Sequence, residues 1–120
     1  MNYLYIVLTI LFTVYGQLIL KWQVGQAGSL PASTGAKIAF LLGLLLNPWI
    51  LSGFLAAFLA SLCWMAAMTK FDLSHAYPFM GMSFVLVLMG SGFFFGEVVT
   101  PMKITGTVLI VLGIIVASQG

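Results

Sequence analysis

Hydrophobic positions form four long runs, and short polar segments separate them. The runs extend from about Tyr3 to Trp22, Trp49 to Met68, His75 to Phe95 and Met102 to Ser118. A helix needs roughly 20 apolar residues to cross the hydrocarbon core of a bilayer, so each run predicts a transmembrane helix. Thr100 and Pro101 support the start of the fourth, as a typical N-cap and a first helical residue. The pattern predicts an all-α integral membrane protein with one four-helix bundle over residues 1–120.

A shorter apolar segment, residues 36–47, lies between the first two runs. It is too short to span a bilayer, and Asn47-Pro48 separates it from the second run, because the residue before a proline disfavours helical backbone. We interpret it as a helix at the membrane interface or as an early extension of the second helix.

Composition supports a membrane location and excludes several functions. The chain is 62% hydrophobic and 5% charged, whereas soluble domains carry about 25% charged residues. A net charge of +2 without any arginine argues against nucleic-acid binding. One cysteine and one histidine exclude an internal disulfide and make a metal site or a cofactor-dependent enzyme unexpected. The first run lacks a basic leader and a small-residue cleavage site, so we expect a retained span.

The orientation in the membrane stays open. Lys21, Lys37 and Lys103 fall on one side of the predicted bundle and Lys70 falls on the other. The positive-inside rule would place the first set in the cytoplasm. Lys21 and Lys103 are also candidate functional residues, so they are weaker evidence for the orientation.

Helix one carries a polar stripe formed by Thr13, Gln17 and Lys21, because residues four apart share a helix face. Lys21 is close enough to the helix end to extend into the headgroup region. Gln17 lies one turn deeper, and polar residues inside a span usually face a cavity or a partner. We therefore predict a polar groove with Lys21 at its mouth, where an ammonium suits a lipid phosphate.

Further candidate binding residues lie on the other helices and near the span ends. Glu97 and Lys103 are predicted to form a second polar patch at the membrane face of Lys21. Aromatic side chains predicted to contact the ligand are Tyr15, Trp22, Trp64 and Tyr77.

Helix four has small residues along one face. Such residues let membrane helices approach closely, so this face is either an internal seam or a dimer interface. The interface predicted for a dimer consists of Gly106, Leu109, Ile110, Gly113 and Ala117.

These motifs resemble the small multidrug resistance branch of the drug/metabolite transporter superfamily. Its dimerisation helix has the pattern G-x-x-L-I-x-x-G, which Gly106 to Gly113 match here. The cation exporters of that branch have E-x-x-G-x-x-x-x-K in helix one. Gly16 and Lys21 align with that pattern, but Thr13 replaces the glutamate. The resemblance implies four spans and dimerisation, and the replacement argues against proton-coupled cation export.

The sequence is also similar to the subunits of the aminoarabinose–phosphoundecaprenol flippase. The shared pattern G-Q-x-x-x-K corresponds to Gly16, Gln17 and Lys21, and A-Y-P corresponds to Ala76, Tyr77 and Pro78. Glu97, Lys103 and Gly106 match the segment that follows. The resemblance implies a subunit that carries a polyprenyl-phosphate-linked sugar across the bacterial inner membrane, as a homodimer or with a related four-span subunit.

Two other functions are compatible with the sequence. A transporter of small polar solutes or organic cations would need a carboxylate, and Glu97 is the one near a span end. A non-transporting accessory subunit would instead form a fixed complex with a larger membrane protein. An enzyme is not expected, because the sequence brings no nucleophile, base and orienting group together.

Overall fold

A computed structural model describes residues 3–120, and within them the chain is helical without any strand. Four stretches are long and apolar enough to cross a membrane. This confirms the prediction of an all-α membrane protein with four spans. The helices are α1 (Tyr3–Ala27), α2 (Thr34–Leu44), α3 (Pro48–Met68), α4 (Leu73–Ala76), α5 (Gly81–Phe94) and α6 (Pro101–Ser118), with a 3₁₀ helix (Tyr77–Met80) between α4 and α5.

The boundaries of α1 and of the segment after it differ from those of the apolar runs in the sequence. Helix α1 continues beyond Trp22 to Ala27 and stops before Gly28, whose φ of 97° is readily adopted only by glycine. Helix α2 is then a helix of its own, with the Ser33 hydroxyl accepting from the Ala36 N–H at 3.2 Å. Its position at the membrane interface stays a prediction.

Helix α3 begins at a well-formed N-cap. The Asn47 side-chain oxygen accepts from the Trp49 N–H at 2.8 Å, and Pro48 occupies the first turn, where its missing N–H costs nothing. The extended backbone of Asn47 separates α3 from α2, so the segment 36–47 does not extend α3.

The third span consists of α4, the 3₁₀ helix and α5 in succession, rather than one regular helix from His75. Pro78 lacks an N–H and lies in the 3₁₀ helix, where the regular hydrogen-bonding pattern changes. The span ends before Gly96, whose φ of 65° reverses the chain so that the Glu97 N–H donates to the Ser91 carbonyl.

Close contacts at glycines fix how the spans pack. Helices α1 and α3 form the main pair and cross at Gly16 and Gly53. A Cβ atom built on Gly16 would lie 3.1 Å from the Gly53 carbonyl oxygen, so the backbones approach as small residues allow in membrane proteins. Helix α5 packs on α1 where Leu18 covers Gly90, and α6 packs peripherally where Ile114 meets Gly81.

Candidate functional site

A groove of about 570 Å³ runs between α1 and α3 and ends against the 3₁₀ helix. Its residues on α1 span about 16 Å along the helix axis, from the rise of 1.5 Å per residue. The groove is thus long enough to cover about half of the hydrocarbon thickness. The lining residues come from α1 (Thr9, Thr13, Gly16, Gln17, Leu20), α3 (Gly53, Phe54, Ala57, Ala60, Ser61, Trp64, Met65) and the 3₁₀ helix (Tyr77, Met80).

The sequence prediction of a groove beside Thr13 and Gln17 therefore corresponds to a concave surface. It also contains Trp64 and Tyr77, so four of the predicted binding residues lie around one space. The helical spacing that placed Thr13 and Gln17 on one face of α1 does not indicate which part of α3 they meet. That follows from the crossing at Gly16 and Gly53.

The polar side chains of the groove differ in whether they have hydrogen-bond partners within the chain. The Thr9 hydroxyl donates to the Tyr5 carbonyl at 2.7 Å, and the Ser61 hydroxyl donates to the Ala57 carbonyl at 3.1 Å. Within residues 3–120, neither Thr13 nor Gln17 hydrogen-bonds through its side chain to another residue. A primary amide in an apolar environment without a partner is costly. Gln17 is therefore available to a ligand or to another subunit.

Aromatic rings form the end of the groove that is farther from Gln17. Trp64 and Tyr77 approach edge to face, with ring centroids 5.9 Å apart and an interplanar angle of 81°. Tyr77 is 64% exposed, so its ring is accessible in the groove. The two rings offer apolar faces next to the polar wall.

Lys21 lies one turn beyond Gln17 and is exposed. Four residues of α-helix bring it roughly 6 Å farther along the axis and about 40° around it, so it follows the groove on the same side of α1. Lys21 does not line the groove itself.

Tyr15 and Trp22 lie around a different space. With Leu18, Ile19, Phe94 and Phe95 they line an apolar pocket of about 360 Å³ between α1 and the end of α5. The Tyr15 hydroxyl also hydrogen-bonds the Ser52 hydroxyl at 3.0 Å, and Trp22 meets Trp49 edge to face at 5.4 Å. The structure therefore does not bring these two residues together with Thr13 and Gln17.

Glu97 and Lys103 lie in and just after the connection between α5 and α6, and both are exposed. The Lys103 ammonium donates to the Val98 carbonyl at 3.4 Å. The Lys103 N–H is capped by the Thr100 hydroxyl at 3.2 Å, as the sequence predicted for this helix start. These residues are at the Lys21 end of the molecule and outside the groove.

Sequence reasoning missed a polar contact between α1 and the start of α3, beyond the Lys21 end of the groove. The Asn47 amide donates to the Gln23 side-chain carbonyl at 2.8 Å, and Gln23 is only 7% exposed. The same Asn47 caps α3, so one side chain joins the ends of α1 and α3. Gln23 follows the apolar run by one residue, where the pattern alone indicates a solvated helix end.

Helix α6 covers little of the bundle and leaves much of its own surface uncovered. Leu109 is 63% exposed and Gly113 has no atom within 4 Å of a Cβ built on it. Ile110 instead faces inward, 3.1 Å from such an atom on Gly81. Within the described part of the chain, no group of three potential metal-binding side chains occurs.

Several known proteins that are similar to this chain in sequence are named as flippase subunits. The chain is 32% identical over 113 residues to the Aeromonas salmonicida protein called "Probable 4-amino-4-deoxy-L-arabinose-phosphoundecaprenol flippase subunit ArnE", covering 94% of this chain and 93% of that one. It is 36% identical over 114 residues to the ArnF subunit of the same organism, covering 93% and 75%. The chain belongs to this family of flippase subunits.

Membership in the flippase-subunit family confirms the resemblance predicted from the short motifs. As a family member with four apolar spans, the chain is a multi-pass membrane protein with a flippase-subunit role. An uncharacterized protein of Sinorhizobium fredii is also similar, with 33% identity over 88% of this chain and 84% of its own. No family model and no solved structure matches the chain.

Proposed function

We propose that this flippase subunit carries a polyprenyl-phosphate-linked sugar across the bacterial inner membrane. The observation that supports this most is the groove, whose lining includes Gln17 and Thr13 on one spanning helix and the aromatic rings of Trp64 and Tyr77 at the end farther from Gln17. The names of the similar proteins supply the ligand class, a sugar on phosphoundecaprenol.

The groove would hold the sugar. Its unpaired amide and hydroxyl can exchange hydrogen bonds with sugar hydroxyls, which offsets the cost of taking both partners out of water. The Trp64 and Tyr77 rings can pack against the apolar face of a pyranose. The groove therefore offers polar groups towards the Gln17 end and aromatic rings at the other end, and a sugar has both hydroxyls and an apolar face with which to contact them.

Lys21 would pair with the lipid phosphate. It lies one turn beyond Gln17, at the end of the groove where a headgroup phosphate would remain near the membrane surface. An ammonium binds a phosphate as a compact charge. Glu97 and Lys103, at the same end, would form a second polar patch, and the apolar pocket beside Tyr15 and Trp22 would take part of the prenyl chain.

A second subunit would complete the pathway. The groove is open on one side, and four helices barely enclose a cavity, so a partner is needed to shield a sugar from lipid. The exposed face of α6, including Leu109 and Gly113, is the surface we assign to this contact. The chain resembles ArnE and ArnF to a similar degree, so the partner is a second copy or a related four-span subunit.

Native mass spectrometry of the protein purified in mild detergent tests the lipid assignment. We expect retained polyprenyl phosphate or its glycosylated form. Lys21→Ala should weaken binding of added undecaprenyl phosphate roughly 10- to 100-fold, the range for a lost charge-assisted hydrogen bond. Lys37→Ala, on α2 and outside the groove, is the matched control and should bind normally.

Other outcomes distinguish the competing functions. Equal binding of undecaprenyl phosphate by the wild type and by Lys21→Ala would show that Lys21 does not bind the lipid phosphate. Export of organic cations that is lost in Glu97→Gln would favour a cation transporter. A fixed stoichiometric complex with a larger membrane protein, and no lipid held by this chain, would favour an accessory subunit.

A further inference from the structure

We infer that an apolar pocket beside α2, the α2 pocket, binds the first isoprene units of the carried lipid, next to its phosphate. This inference rests on the proposed function and adds a site for the chain of that lipid. The pocket has a volume of about 240 Å³ and lies where α2 meets the end of α1 and the start of α3. Its lining residues come from α1 (Leu20, Val24), from α2 and the turn after it (Leu41, Leu42, Leu44, Leu45) and from α3 (Ile50, Phe54).

Helix α2 presents apolar side chains that the rest of the chain leaves largely uncovered. None of its residues, Thr34 to Leu44, is buried, and Leu41 and Leu42 are 53% and 58% exposed. Lys37 is its one charged residue. A contiguous apolar surface of this kind marks a place where an apolar partner binds.

The α2 pocket adjoins the groove at its Lys21 end. Leu20 and Phe54 line both spaces, so the groove and the pocket meet at these two side chains. Val24 follows Lys21 by three residues, a spacing that leaves Cβ atoms about 5–6 Å apart on a helix. Along α1 the order is therefore Gln17 in the groove, then Lys21, then Val24 in the pocket. The lipid has the same order, with its phosphate between the sugar and the prenyl chain.

The other apolar pocket, beside Trp22, lies on a different side of α1. From the 3.6 residues of each helical turn, Leu20 and Val24 lie within about 60° of Gln17 around the axis of α1. Trp22 lies about 140° away from it. A prenyl chain that leaves a phosphate at Lys21 therefore reaches the α2 pocket first, and the pocket beside Trp22 takes only a later part of the chain.

The volume of the α2 pocket fits two isoprene units. An apolar cavity of about 150 Å³ in another protein accommodates benzene, which has six carbon atoms. On that scale a volume of about 240 Å³ holds about ten carbon atoms, the number in two isoprene units. Lipid tails are as apolar as these leucines, so the pocket adds to binding by holding the chain beside the phosphate site.

Photo-cross-linking locates the chain. The probe is an undecaprenyl phosphate analogue with a diazirine on its second isoprene unit, added to the reconstituted protein with its partner subunit if one copurifies. We expect cross-links to peptides of α2 and to the turn of α1 that contains Val24. Geranyl phosphate, which has just two isoprene units, should compete with the probe. Cross-links to Phe94 and Phe95 instead would place the first units beside Trp22, which overturns the inference and leaves the carrier function intact.

Leu41→Asn and Ile38→Asn are the matched variants. The two side chains are 53% and 54% exposed on the same helix, and of the two Leu41 lines the pocket. Leu41→Asn places an amide against the prenyl chain, where it gains no hydrogen bond, so binding of geranyl phosphate should weaken roughly tenfold. Ile38→Asn should bind it normally.

Equal binding of geranyl phosphate by Leu41→Asn and Ile38→Asn would overturn the inference. Competition by phosphatidylglycerol as strong as that by geranyl phosphate would also overturn it, because the pocket would then hold any lipid chain. Both results leave binding of undecaprenyl phosphate at Lys21 intact. Failure of the wild type to bind undecaprenyl phosphate at all would reject the proposed function itself.

Discussion

Gly16→Ala tests whether the α1–α3 crossing determines the fold. A methyl group at this position would lie 3.1 Å from the Gly53 carbonyl oxygen, which is tighter than nine in ten Cβ contacts in proteins. The obstructing atom belongs to the backbone of α3 and cannot rotate away. The two helices would have to separate by a few tenths of an ångström along their main contact.

The magnitude follows from two opposing effects. Forcing an additional methyl group into a packed contact costs about 1–3 kcal/mol. Replacing glycine by alanine inside a helix contributes about 1 kcal/mol in the stabilising direction. We therefore expect Gly16→Ala to lower the free energy of unfolding by about 0–2 kcal/mol relative to the wild type.

Gly25→Ala is the matched control, because Gly25 lies in the same helix and a Cβ there meets no atom within 4 Å. The difference between the two variants isolates the steric effect and should be about 1–3 kcal/mol. Unfolding can be followed through the single cysteine, Cys63, which is half-buried in α3 and becomes reactive to a thiol fluorophore as the bundle opens. Equal stability of Gly16→Ala and Gly25→Ala would refute the close approach of α1 and α3.

Two further substitutions test the hydrogen bond between α1 and the start of α3 and the exposed face of α6. Gln23→Leu removes the 2.8 Å bond to Asn47 and leaves that amide without its partner, so the same thiol assay should report a loss of about 1–3 kcal/mol. An unaltered unfolding free energy would mean that this contact does not join α1 to α3. Gly113→Leu places a bulky side chain where a Cβ has open space, so the free energy of unfolding of the isolated subunit should change little while cross-linked dimer is lost. Dimer that persists in Gly113→Leu would place the subunit contact elsewhere.

The four spans were predictable because their signal is local. Each apolar run is long enough to cross a bilayer, and the N-cap Thr100 with Pro101 marks the start of α6 as expected. The pairing of spans has no comparable signal in the sequence. Gly16, Gly53 and Gly113 all look like packing glycines, yet the first two meet each other and the third faces open space.

The same difference between local signals and contacts between helices explains which site residues could be predicted from the sequence. Thr13 and Gln17 share a groove because four-residue spacing sets the face of one helix. Tyr15 is predicted as an aromatic contact to the ligand, but its position two residues from Thr13 and from Gln17 turns it to another side of the helix, and it lines a different pocket. Gln23 was missed because its partner, Asn47, comes from the start of another helix.

The position of the polar groups also bears on how such a small subunit could move a charged lipid. The hydroxyls of Thr9 and Ser61 donate to carbonyls of their own helices. Exposing these parts of the groove wall to lipid therefore costs little free energy. Gln17 carries the unmatched amide, and it lies next to the turn that bears Lys21. If the subunit carries a polyprenyl-phosphate-linked sugar as proposed, the binding free energy would be gained mostly where the phosphate and the first sugar hydroxyls enter, and less towards Trp64 and Tyr77. On the proposed function, a carrier built in this way would hold the headgroup firmly at one end of its groove and weakly at the other, so the sugar would leave without first breaking a second strong contact.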